Sequence, residues 1–145
     1  MDNVPDELRY LPDGSLFLQV QESELHIYIS RSIVKLAVDN GLSALIADGI
    51  HQLNPRSRTG SGIRMEQGQV YTVHGVCSGG FEMPLMFAIM RKKREEDYRV
   101  VFEKLKENIN DARPGLGEPQ LKFVVDFELV CSMKLKLCPD KSFLL

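Results

Sequence analysis

Two aspartates follow short apolar runs in this sequence, and together they could hold a divalent cation. Asp48 comes after Leu45–Ala47, and Asp126 comes after Leu121–Val125. If the two runs are neighbouring parallel strands, both carboxylates leave the sheet at the edge where ligand sites of open α/β sheets occur. Two close carboxylates repel each other unless a cation lies between them. Oxygen ligands favour Mg²⁺ or Mn²⁺. The alternative is that Asp48-Gly49 is a solvated turn.

Two other polar residues, His51 and Glu128, could belong to such a site. His51 is close to Asp48 in the sequence and could be a spare ligand, although one histidine at this spacing is weakly specific. His74 lies in a β-branched stretch and is more simply a packed, hydrogen-bonded histidine. Glu128 follows Asp126 by two residues, and the simplest interpretation is an acid in the first turn of a helix.

Size and composition favour one globular domain inside a cell. The chain has 145 residues, of which 43% are hydrophobic and 26% charged, and a net charge of -2. This balance gives no overall attraction to nucleic acid, so any DNA contact would come from local basic patches. An odd cysteine count of three and an acidic, polar N-terminus predict reduced thiols and no secretory leader. No apolar run is long enough to cross a membrane.

Hydrophobic periodicity predicts a mixed α/β sheet preceded by an arm over residues 1–15. Two further segments follow Asp126: a helix over Phe127–Leu137 and the start of a strand at 141–145. The segment Arg56–Gln69 is predicted to be a loop, and Pro84 to mark a bulge or an edge. The predicted strands are Leu16–Val20, Leu25–Ile29, Leu42–Asp48, Val70–Cys77, Glu82–Met90 and Leu121–Val125, and the predicted helices are Ser30–Asn40 and Glu95–Asn110. Three strands form an antiparallel meander, and later strands, reached through crossover helices, are parallel.

Four blocks of this sequence resemble the Mutator-like element (MULE) transposase domain, which has the ribonuclease H-like fold. They are ADGIHQLNP at 47–55, QVYTVHG at 69–75, MPLMFAIMRKKREEDYRVVFEKLKE at 83–107 and VVDFE at 124–128. The resemblance implies a partial transposase domain over residues 16–145, incomplete at the C-terminus. One departure is Ile50-His51, which stands where the family has Thr-Phe.

The resemblance implies a role for both aspartates in DNA chemistry. Asp48 and Asp126 match the first and second acids of an Asp-Asp-Glu triad that holds two Mg²⁺ or Mn²⁺ ions for DNA cleavage and strand transfer. The third acid of the family would lie beyond residue 145, so we expect this chain to be inactive alone. Glu128 and His51 could support the metal ligands from nearby.

The resemblance also implies contact with chromosomal DNA and therefore a nuclear location. Basic side chains that could touch phosphates occur in the predicted loop and before the second helix. Each is also compatible with an ordinary solvated surface position. The basic residues are Arg56, Arg58, Arg64, Arg91, Lys92, Lys93 and Arg94.

Two other functions fit the same sequence. A domesticated ribonuclease H-like module could bind DNA or protein without cleaving. A truncated product of a decayed element would have no independent function, and its exposed sheet edge would favour aggregation. Metal dependence and DNA nicking separate the first of these from an enzyme.

Overall fold

The computed structural model describes residues 4–50, 68–117 and 120–125, which form a mixed α/β domain. Six strands make one sheet in the order β1-β2-β5-β4-β3-β6. The strands are β1 Leu18–Gln21, β2 Leu25–Ile29, β3 Ala44–Ile50, β4 Gln69–Val76, β5 Glu82–Met90 and β6 Lys122–Val125, and the helices are α1 Arg31–Asp39 and α2 Glu95–Asp111. The predicted mixed α/β class is confirmed. Each of these strands and helices begins and ends within two residues of its predicted bounds.

The hydrophobic core lies on one face of the sheet, under both described helices. α1 and α2 contact each other and both contact β5. The apolar stripe predicted for α2 is buried in one cluster with Leu45, Ala47, Tyr71 and Val73 of the sheet. The stripe consists of Tyr98, Val101, Phe102, Leu105 and Ile109. The α/β layering of the described residues is therefore one-sided.

Local sequence signals set the ends of α1. The Ser30 hydroxyl accepts the Ile33 N–H at 3.4 Å and caps the first turn. After the helix, Gly41 adopts φ +73°, a left-handed conformation that glycine reaches without steric cost. The predicted short helix closed by a glycine is confirmed.

The hairpin of β4 and β5 contains a bulge at Leu85. His74 pairs with Pro84, whereas Val73 pairs with Met86, so Leu85 has no partner of its own on β4. Leu85 and Met86 are both buried, although consecutive residues of a regular strand face opposite sides. The bulge predicted from Pro84 is confirmed.

The antiparallel part of the sheet is larger than the predicted three-strand meander. β3, β4 and β5 form that meander, and the hairpin of β1 and β2 extends it because β2 pairs antiparallel with β5. β6 then adds to the other side and runs parallel to β3. The pairing of β2 with β5 joins segments far apart in sequence, and periodicity within each segment does not indicate it.

The predicted arm is partly ordered within the residues that the structure describes. A 3-10 turn spans Asp6–Leu8, and Tyr10 forms an isolated antiparallel bridge with Leu16. No described helix is long and apolar enough to cross a membrane. The predicted helix at Phe127–Leu137 and the strand start at 141–145 lie outside the described residues.

Candidate functional site

Asp48 is an exposed carboxylate inside β3. The predictions that the strand ends at Asp48, or turns there, are wrong, because pairing with β4 continues through Asp48↔Thr72 and Gly49↔Tyr71 to Ile50↔Val70. Asp48 Oδ1 accepts the Gly49 N–H at 2.7 Å. The Thr72 hydroxyl donates to the Asp48 backbone oxygen at 3.4 Å. The carboxylate thus sits on a paired strand, near its carboxyl end.

The side chain of Asp48 belongs to the face of the sheet opposite the core. Leu45 and Ala47 are buried against the helices, and alternation along β3 assigns Ile46 and Asp48 to the other side. Their partners on β4, His74 and Thr72, share that side. We call this side the open face because neither described helix buries its apolar stripe on it.

β6 aligns with β3 in the register that the sequence analysis required. The two strands are parallel, and Ala47 pairs with Val125. These are the residues that directly precede Asp48 and Asp126 in the sequence. The structure therefore brings the two apolar runs together side by side up to Val125, while Asp126 itself lies outside the described residues.

A buried polar contact supports β3 from behind Asp48. Gln69 is 2% exposed, and its side-chain amide donates to the Tyr98 hydroxyl at 2.5 Å. A Cβ at Gly49 would overlap Gln69 Oε1 and lie 3.2 Å from Gln69 Cδ, so any larger residue there would require the Gln69 side chain to shift. The sequence analysis missed Gln69, which it placed at the end of a loop. The only sequence signal for this buried contact was a polar residue directly before a β-branched strand.

The basic run before α2 surrounds one carboxylate. Glu24, which directly precedes β2, lies 2.8 Å from Lys92 Nζ, 2.9 Å from Arg94 Nη2 and 3.9 Å from Arg91 Nη1. The hydrogen bond from Lys92 lowers the pKa of Glu24, and the charges of Lys92, Arg94 and Arg91 add to this effect. Arg94 also donates to Asp97 through Nε at 3.0 Å and Nη2 at 2.9 Å. Much of the positive charge is therefore compensated locally, and contact with DNA phosphates stays a prediction.

Of the two acids predicted to hold Mg²⁺ or Mn²⁺, the described residues include one, Asp48. Asp48 is exposed, carries a hard carboxylate and retains lone pairs beyond the one used by Gly49. Within residues 4–50, 68–117 and 120–125 there is no group of three His, Cys, Asp or Glu side chains that could enclose a metal ion. The chemistry of Asp48 fits the predicted metal.

The other predicted site residues divide into two groups. The first group is the basic run that directly follows β5: Arg91, Lys92, Lys93 and Arg94. The end of β5 pairs with the start of β4, and the start of β4 pairs with the end of β3, so this run lies at the edge of the sheet where β3 ends. The remaining predicted residues lie outside the described ranges and stay predictions: His51, Arg56, Arg58, Arg64, Asp126 and Glu128.

The fold and the site define an α/β domain with an exposed acid on β3, the strand that pairs in parallel with β6. In comparisons with known proteins, the chain matches no protein-family model, no curated protein and no solved structure.

Proposed function

We propose that the chain is part of a Mutator-like DNA transposase catalytic core with a ribonuclease H-like fold. The observation that carries the proposal is the parallel register of Ala47 with Val125, because these paired residues directly precede the two candidate acids in the sequence. The strand order β5-β4-β3-β6, an antiparallel meander with a parallel strand added beside the first, agrees with that fold.

In the proposed site, Asp48 and Asp126 hold Mg²⁺ or Mn²⁺. Divalent ions in such sites activate a nucleophile and stabilise the leaving oxygen of a phosphodiester. Asp48 contributes a carboxylate whose position is fixed by strand pairing and by the Gly49 N–H. The sequence offers two of the three acids of the family, so metal binding is a better first test than turnover.

The test is a titration of the full chain with Mn²⁺ by isothermal calorimetry. We expect saturable binding that Asp48→Asn and Asp126→Asn each weaken by about tenfold or more, because each removes a charged ligand. Asp39→Asn is the matched control, since Asp39 is an exposed acid on α1 whose ion pair is with Lys35. Unchanged binding by Asp48→Asn would reject the proposed site.

A DNA assay separates the enzyme-derived proposal from its alternative. Duplex DNA labelled with fluorescein is titrated with the chain with and without Mn²⁺, and the same samples are examined for nicks. Metal-dependent binding that Asp48→Asn abolishes supports the transposase proposal. Binding that is independent of metal and of Asp48 supports a domesticated binding module instead.

A further inference from the structure

We infer that His74 is an additional ligand of the Asp48 metal site and that the site therefore prefers a divalent transition metal to Mg²⁺. The inference rests on the proposed function for the existence of a metal site. It goes further by adding a nitrogen ligand on a different strand. It also changes the expected order of metal affinities.

The first step is geometric. Asp48 pairs with Thr72, and His74 is two residues from Thr72 on β4, so Asp48 and His74 are diagonal neighbours on the open face. Diagonal neighbours of an antiparallel pair have Cβ atoms roughly 7 Å apart. Two metal–ligand bonds of about 2 Å each, added to the lengths of the two side chains, span this separation. One ion can therefore contact both groups.

The second step concerns what else His74 could be doing. It is half-buried and, among the described residues, has no hydrogen-bond or ionic partner for its imidazole. The partner expected of a packed, hydrogen-bonded histidine is therefore not found among the described residues. His26 meets that expectation better, since it is buried and lies 3.4 Å from the Tyr28 hydroxyl through Nδ1. An imidazole that is half-buried and has no partner among the described residues is open to a ligand on this face.

The third step is chemical. A neutral imidazole binds later divalent transition metals more strongly than Mg²⁺, which prefers oxygen ligands. A carboxylate with an imidazole suits Mn²⁺ and suits Co²⁺ better still. Ile46 lies opposite His74 on β3, and Val124 lies on the next strand. The acid diagonal to His74 on the β3 side is Asp48, and the one on the β5 side is Glu82, which is also exposed.

The experiment compares Co²⁺ and Mg²⁺ binding to the full chain by calorimetry. We expect Co²⁺ to bind more tightly, and His74→Gln to weaken Co²⁺ binding by about tenfold or more while changing Mg²⁺ binding little. Asp48→Asn should weaken both. Asp39→Asn is again the control, and a circular dichroism spectrum confirms that each variant is folded.

A second measurement takes its main readout from the wild-type chain. The chain has three histidines, so its ring Cε1–H resonances number three. Substoichiometric Mn²⁺ should broaden the His74 signal selectively, with His26 as an internal reference because two strand spacings separate its strand from β4. Asp48→Asn should abolish the broadening.

The outcomes distinguish this inference from the proposed function. If Asp48→Asn abolishes binding but His74→Gln leaves the Co²⁺ affinity unchanged, the metal site stands and His74 is not its ligand. If the wild-type chain binds none of the three ions, both are rejected. Broadening of His26 and His74 to the same extent would also reject the role of His74.

Discussion

At the scale of single residues, Gly49 has a steric role beside the candidate acid. A side chain there would press on Gln69, which is held by Tyr98 and by Met90 Sδ at 3.5 Å. A shift of the Gln69 amide would disturb these buried contacts, which its Nε2 atom makes. The glycine of the Asp48-Gly49 pair therefore permits close packing and does not make a turn.

We expect Gly49→Ala to lower the free energy of unfolding by about 1–3 kcal/mol, the range for overpacking a filled interior. Urea denaturation followed by circular dichroism measures the change. Gly117→Ala is the control, because a Cβ at Gly117 meets nothing within 4 Å. Equal stability of the two variants would mean that Gln69 adjusts freely.

At the scale of elements, Glu24 links the hairpin of β1 and β2 to the start of α2. It contacts cations that lie between β5 and α2, and those cations lower its pKa below the ordinary value of 4.5. A depressed carboxyl pKa stabilises the folded state above the unfolded pKa. This contribution is lost as the pH falls through the folded pKa.

We therefore expect Glu24→Gln to lower the urea midpoint at pH 7, and the difference from wild type to shrink as the pH falls below about 4.5. High salt should shrink it as well, because the ion pairs are near the surface. Glu22→Gln is a matched control from the same hairpin turn, where the side chain is exposed. A difference that is constant between pH 7 and pH 3 would contradict the electrostatic role.

The start of α2 depends on Asp97 more than on its neighbouring acids. Asp97 is 6% exposed and accepts hydrogen bonds from the Arg94 backbone and guanidinium, whereas Glu96 is exposed. We expect Asp97→Ala to cost about 2 kcal/mol, as for a hydrogen bond to a charged group. Glu96→Ala should change stability by less than about 0.5 kcal/mol. Urea denaturation of both variants provides the comparison.

Local elements were predictable from the sequence, whereas the contacts between them were not. The stripe of α2 and the hairpin around Ser78–Gly80 follow from spacing and turn residues within each segment. Glu24 beside Lys92 and Gln69 beside Tyr98 depend on long-range pairing, which periodicity does not encode. For the site, the sequence analysis used the adjacency of the two strands as a condition, which the structure meets. It placed Asp48 at the strand end, because the Asp-Gly pair is also a turn signal.

At the scale of the whole molecule, one continuous sheet and one apolar cluster connect the six described strands and both described α-helices. We expect a single cooperative unfolding transition, with coincident curves from far-ultraviolet circular dichroism and from the fluorescence of the four tyrosines. Two separated transitions would show that part of the sheet unfolds independently. The chain has no tryptophan, so tyrosine emission is observed without interference.

The bulge in β5 determines where the chain can lose a residue without shifting the pairing of its strands. Since Leu85 is the extra residue, its deletion would leave Pro84 opposite His74 and Met86 opposite Val73, and every other side chain would keep its side of the sheet. Deletion of Ile46 from β3, where the pairing has no such spare position, would send one half of that strand's side chains to the wrong face. A codon loss at 85 should yield a folded but weakened protein, and a codon loss at 46 an insoluble one.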